Sequence, residues 1–403
     1  ANYQYYPNGG NGFLRILHFS PEKNEIQVDT YSPWLNQYET DSNSQFVLPY
    51  DMGGLSAPNT YCVANEADLI AALNEAKDNG SDDVIKIQQG TYNGNFVYAS
   101  TESFGVTIEG GYTVGCASRV VNPTNTVLDA QNNGVVLALS TPDVAADFVV
   151  DGLTLQNGNA NMNGGGLYAG TNGAVTLTNN TISNNSAQGK GGGIYFSSDH
   201  GTFALTNNII SYNSAQDTGG GIWCGYASDA AVLTNNTISF NSAQDTGGGV
   251  RLLLDQDESI SNIYNNIIWN NSAVNEGRDI YTDNDGDDNG IPATVNLYNN
   301  DFSQSENGTY IKIPFPVDPS NLNNADPLFV DPDNGDFHLS VNSPCIDTGT
   351  SANAPDTDID GDLRPQGPGW DIGADEYPVA AFTIYVDSDI NVSGNGKSWS
   401  EAF

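Results

Sequence analysis

The densest run of potential ligand side chains is Asp356-Thr-Asp358-Ile-Asp360-Gly361-Asp362, four carboxylates at alternate positions with a glycine between the last two. Hard oxygen donors at this spacing suit Ca²⁺, and the glycine stands where an EF-hand loop makes its sharp turn. The run departs from that loop at its twelfth position, Gly367, where a bidentate Glu belongs; Asp371 and Asp375 stand further on as substitutes. A sparser second set is Asp283, Asp285 and Asp287. Ca²⁺ is therefore the expected cofactor, and the competing reading of either run is an acidic turn facing water.

Catalytic chemistry finds less support. Glycoside hydrolysis needs two converging carboxylates, and proton abstraction needs a base held beside the substrate. Lys190, Arg251 and Arg278 are the basic residues of the central region, and they fall at unrelated phases of its repeat. Asp217 and Asp245 precede glycine triplets, where a turn accounts for them. Ser198-Asp199-His200-Gly201 has the composition of a nucleophilic triad but no further pattern around it. Tyr195, Tyr212, Trp223, Phe240 and Trp269 fall at outward phases, suited to stacking on sugar rings or on one another. These residues favour a non-enzymatic chain, with a polysaccharide-binding or polysaccharide-degrading protein as the alternative.

What must position these residues is a repeat. Glycine triplets begin at Gly164, Gly191, Gly219 and Gly247, a period of 27, 28 and 28 residues. Such periods mark stacked architectures, and no window shows helical periodicity. Each period holds three short β-type pieces separated by Asn, Gly, Ser and Asp, which makes one coil of a parallel β-helix. Leu177, Leu205, Leu233, Ile263 and Leu297 share one phase, and Ile182, Ile210, Ile238, Ile268 and Phe302 another. Stacked, they give continuous apolar columns. Asn180, Asn208, Asn236 and Asn266 (with Asn300) form one polar column, and Asn185, Asn213, Asn241 and Asn271 a second. Their amides are expected to bond up and down the stack while their backbones take the left-handed turn.

The chain carries 49 acidic residues against 11 Lys plus Arg, a net charge of −38. That surface repels nucleic acid and anionic lipid and attracts divalent cations. No apolar run is long enough to span a membrane. The four cysteines form no C-x-x-C pair, which argues against a zinc or thioredoxin-type site.

The predicted order is a β-hairpin segment over 1–52 and the β-helix over 53–345, with an N-terminal capping helix at about 66–78. An Asp/Gly-rich loop region at 346–378 and a strand opening a further unit at 379–403 complete it. In the helix, Asn65 is the cap, and Ala67, Ile70, Ala71 and Leu73 form the apolar stripe.

Family resemblances follow these segments. GGNGFLRILHFSPEKNEIQVDTYSPWLNQYETDSNSQFVL resembles the C-terminal tail of calcineurin-like metallophosphoesterases. It implies no phosphoesterase activity in these residues, where His18 is read as a structural strand histidine. TYCVANEADLIAALNEAKDNGSDDVIKIQQGTY, followed by GGY and Cys116, resembles the opening of secreted bacterial β-helix proteins. The GGG and N-S-A repeats are similar to chlamydial polymorphic outer-membrane proteins. The block from ADPLFVDPDNGDFHL to DIGADEY resembles the end of the choice-of-anchor class of surface β-helices. Together they imply an all-β, right-handed parallel β-helix that is secreted or surface-displayed, with no reaction attached. In that setting Cys62 and Cys116 are expected to form a disulfide pinning the capping helix, with Cys224 and Cys345 free. The expected role is structural, as a surface stalk, adhesin or filament subunit. The strand with Phe382, Ile384 and Val386 would pair with the next copy in a head-to-tail homopolymer, and glycans are a further expected partner.

Overall fold

A computed structural model of the chain describes residues 12–20, 23, 25–49, 58–198, 200–227, 230–254, 260–284, 294–311 and 317–378. Two compact units result, Ala1–Asn59 with Gly80–Asp82, and Thr60–Asn79 with Asp83–Phe403. In the first, Leu14–Ser20 pairs antiparallel with Glu25–Ser32, and Gln37–Glu39 and Phe46–Pro49 add to the latter strand. The expected hairpin is there. His18 Nε2 lies 3.4 Å from the Asp29 carboxylate, a strand-to-strand contact.

The second unit is a right-handed parallel β-helix. Sheet 1 has eight strands, Phe96–Ala99 to Thr309–Ile311, and sheet 2 has nine, Thr60–Val63 to Thr294–Tyr298. Sheet 3 also has nine, from Gly90–Asn93 to Leu322–Asn323. A corner ladder of five two-residue strands, Asn159–Ala160 to Ser272–Ala273, was not expected from the sequence. Its strands are Ser-Ala pairs in the later coils, too short to carry a periodicity signal.

Register follows the phases. Leu177 pairs with Leu205, Leu205 with Leu233, and Ile182 with Ile210. All members of both apolar columns lie inside one continuous core. The glycine triplets mark where successive coils touch. Gly219 has φ 72°, and a Cβ on Gly220 would stand 2.4 Å from two carbonyl oxygens of the following coil, those of Ser242 and Gly248. Only glycine satisfies both positions.

Helix α1, Glu66–Ala76, closes the N-terminal end of the core, and the Asn65 side chain accepts the Asp68 N–H at 3.0 Å as its cap. The buried face is Leu69, Ala72, Leu73 and Ala76, while Ile70 is about half exposed. The expected stripe through Ala67, Ile70 and Ala71 is therefore corrected. Leu69 and Leu73, one turn apart, turn inward over the end of the core, with Ala72 and Ala76 on the same face. The Cys62–Cys116 disulfide forms, and Cys224 and Cys345 are free and buried.

Candidate functional site

Both asparagine columns are hydrogen-bonded ladders. Asn180 N–H and Nδ2 donate to Asn208 Oδ1 at 3.0 and 3.1 Å, and the pattern continues through Asn236, Asn266 and Asn300 to Asn321. The second runs from Asn185 through Asn213 and Asn241 to Asn271. It ends on Asp279, whose carboxylate accepts from Asn271 Nδ2 at 3.1 Å and from the Ser303 N–H at 2.9 Å. One detail differs from expectation: the left-handed residues are not the ladder asparagines but their predecessors, Asn179, Asn207, Asn235, Asn265 and Asn299, with φ of 52–56°. The bend thereby turns the ladder side chain inward and the preceding one outward.

The outward asparagines have a partner of their own. Beyond sheet 3 the chain turns back along the stack as a strap. Asn299 donates to Thr348 O at 2.9 Å, Asn265 to Thr350 O at 2.7 Å and Asn207 to Thr357 O at 2.7 Å. Asn235 donates to Asp371 O and Gly373 O, both at 3.1 Å. A hairpin of Phe329–Asp331 and Asp336–Leu339 covers Tyr212, Phe240 and Trp269, which meet Phe329 and Phe337 edge-on or tilted.

The strap decides the fate of the acidic run. Asp358 is buried; its Oδ1 accepts the N–H groups of Asp360 and Asp362, and its Oδ2 that of Glu376. Asp356 and Asp362 are exposed. Among the described residues the four carboxylates Asp356, Asp358, Asp360 and Asp362 do not meet as ligands at one point. The EF-hand-like reading is corrected here, because backbone amides at a tight turn have taken the central carboxylate. The run is a turn organised around the buried Asp358, with Asp356 and Asp362 facing solvent. Beside it, Arg364 Nη1 meets Glu376 Oε2 at 2.9 Å with both side chains fully buried. Asp371 accepts the N–H groups of Asp347 and Tyr377, and its burial pushes its carboxyl up to about 7.

Asp360 alone of the run joins a three-ligand group, with His338 and Asp375; one ligand atom from each lies within 4.8 Å of the other two. His338 Nε2 stands 2.9 Å from Asp360 Oδ2, and its Nδ1 stands 2.5 Å from Asp336 Oδ1. The hydrogen bond to Asp360, with Asp336 adding to it, raises the imidazole to about 10. Asp375 is 5% exposed, and burial raises its carboxyl to about 6. Sequence reasoning named Asp375 as a distant substitute and missed His338. Its signal was a lone histidine on a strand two residues after an aspartate.

Of the second acidic set, Asp283 pairs with Arg251 at 3.4 Å, while Asp285 and Asp287 lie outside the described residues. Phe382, Ile384 and Val386 lie outside them too, as does Asp199. Ser198 Oγ accepts the N–H groups of His200 and Gly201, the bond pattern of a turn. Asp217 and Asp245 stack through a backbone bond, Asp245 N–H to Asp217 O at 3.0 Å, as turn residues do. Tyr168, Tyr195 and Trp223 stack face to face at 5.2 and 4.6 Å, and Lys190 lies 4.7 Å from the Trp223 ring centre. Arg251 covers Tyr281 at 4.2 Å. The outward aromatics largely spend their faces on each other.

Fold and ladders define a solenoid of the β-helix class. Residues 123–312 match the family described as right handed beta helix region. A stretch of 58 residues, 13% of this chain, is 40% identical to an uncharacterized protein, YvnB, of Bacillus subtilis (strain 168), of which the match spans 4%.

Proposed function

We propose that the chain is a non-enzymatic extracellular structural rod, a unit of a surface stalk or filament that associates head to tail. One observation carries this reading: all three sheets end at the same end of the stack in strands with no further partner among the described residues. These are Thr309–Ile311, Thr294–Tyr298 and Leu322–Asn323. Unpaired parallel edges template strand addition. The β-prone stretch with Phe382, Ile384 and Val386 echoes Thr60–Val63, the strand that opens sheet 2. The disulfide supports an oxidising setting. Sedimentation and electron microscopy of the intact chain, and of a chain ending at residue 378, test the reading. Polymers that need residues 379–403 support it, and an intact chain that stays monomeric at high concentration overturns it.

A glycan-binding reading has one observation of its own. Tyr168 is stacked on its Tyr195 side, but its opposite neighbour in register is Ala138. A groove of about 190 Å³ there is lined by Ser140, Asp143, Tyr168, Asn172 and Ser197. Retardation in gels containing soluble polysaccharide, lost in Tyr168→Ala, would favour it.

A further inference from the structure

We propose that His338, Asp360 and Asp375 bind one divalent transition-metal ion, Zn²⁺ in the first instance, which staples the hairpin to the strap. The inference is independent of the assembly reading. Three elements supply the ligands: His338 from the hairpin strand Asp336–Leu339, Asp360 from the acidic turn, and Asp375 from the end of the strap. They face a cavity of about 110 Å³ that Pro123, Thr181, Ile209 and Ile359 also line, enough room for the ion and water on its remaining positions.

The surroundings supply a second, separate observation. Each ligand group is held by its far side. Asp336 Oδ1 takes His338 Nδ1, Asn122 Nδ2 donates to Asp360 Oδ1 at 2.9 Å, and the Leu339 N–H donates to Asp375 Oδ2 at 2.7 Å. A carboxylate on the distal nitrogen of a ligating histidine is the usual outer shell of a metal site, fixing the tautomer and the ring orientation. Asp375 is 5% exposed, so a carboxylate has been carried inside beside a second one, Asp360, while His338 stays open to solvent. One imidazole with two carboxylates selects zinc and its neighbours over Ca²⁺, which prefers an all-oxygen shell. On coordination the ion takes the Nε2 lone pair, and the proton that Nε2 shares with Asp360 leaves to solvent.

The test titrates ZnCl₂, and CaCl₂ in parallel, into the untagged, chelator-treated full chain by calorimetry, with melting followed on the same samples. One Zn²⁺ per chain and a raised melting temperature are expected. His338→Gln and Asp375→Asn should each weaken binding about 10- to 100-fold or more, while Asp356→Asn/Asp362→Asn leaves it unchanged. Co²⁺ loading gives a visible absorption band that His338→Gln lacks, a readout that holds even if a variant loses stability. Absence of Zn²⁺ binding at molar excess overturns the proposal. So does equal affinity in His338→Gln, which would mark adventitious binding to the acidic surface, or Ca²⁺ binding that depends on Asp356 and Asp362.

Discussion

Substituting Asn208 by Ala tests whether the asparagine ladder holds the coils together or merely decorates them. Asn208 is fully buried. Its Oδ1 accepts the Asn180 backbone N–H and Nδ2 at 3.0 and 3.1 Å. Its Nδ2 donates to Leu177 O, Thr206 O and Asn236 Oδ1 at 2.8, 3.1 and 3.0 Å. Truncation leaves Asn180 Nδ2 its bond to Val150 O, Thr206 O its bond from the Asn179 N–H, and Asn236 Oδ1 its bond from the Asn208 N–H. The Asn180 N–H loses its acceptor and Leu177 O loses its side-chain donor, in a place water does not reach. Leu177 remains in the ladder with Leu205, so the Asn180 N–H is the one orphaned group, and at about 1–3 kcal/mol for an orphaned buried donor the expected loss is about 1–3 kcal/mol. Denaturant unfolding followed by far-UV circular dichroism measures it. The exposed Gln216→Ala is the control, expected within about 0.5 kcal/mol of the parent. A loss in Asn208→Ala below about 1 kcal/mol would refute the reasoning and leave the apolar columns and strand pairing to hold the stack alone.

Asp301 is fully buried, its Oδ2 has no hydrogen-bond partner among the described residues, and burial raises its carboxyl to about 7. A carboxyl raised in the fold adds stability below its unfolded pKa and loses it as pH climbs through the folded value. Asp301→Asn should therefore gain up to about 4 kcal/mol relative to the parent at about pH 8 and little at about pH 4, read from denaturation midpoints. Asp358→Ala removes the acceptor of three backbone N–H groups and should loosen residues 345–378 by about 3 kcal/mol, seen as faster amide exchange there. Reducing Cys62–Cys116, which closes 54 residues, should cost about 4 kcal/mol by thermal or denaturant unfolding.

What was legible in the sequence was whatever repeats. Leu205, Ile210, Asn208 and Asn213 recur at one coil's distance, and identical neighbours above and below are the reason they are buried. The strap was not legible, because its partners are unlike it and distant: Asn207 meets Thr357 and Asn122 meets Asp360. The acidic run was read as a cation loop because alternating carboxylates look alike in sequence. Whether a carboxylate faces an ion or a backbone N–H depends on turns imposed by residues such as Gly361 within the run and Gly373 beyond it, both with positive φ. His338 was missed because a lone histidine acquires meaning only when the hairpin brings it to Asp360.

The strap also sets an order of events. Each coil binds a neighbour about one repeat back in the chain, so coils can close one after another as the polypeptide emerges, with a short loop to close each time. The strap contacts span 150 residues from Asn207 to Thr357 and 238 from Asn122 to Asp360, and they exist only once the coils beneath are built. In an unbraced solenoid the last coil frays alone, since each repeat answers only to its neighbours. Here the final coils cannot peel off without first tearing contacts anchored several coils below. The strap thus turns a stack that would unzip from its end into one that lets go all at once.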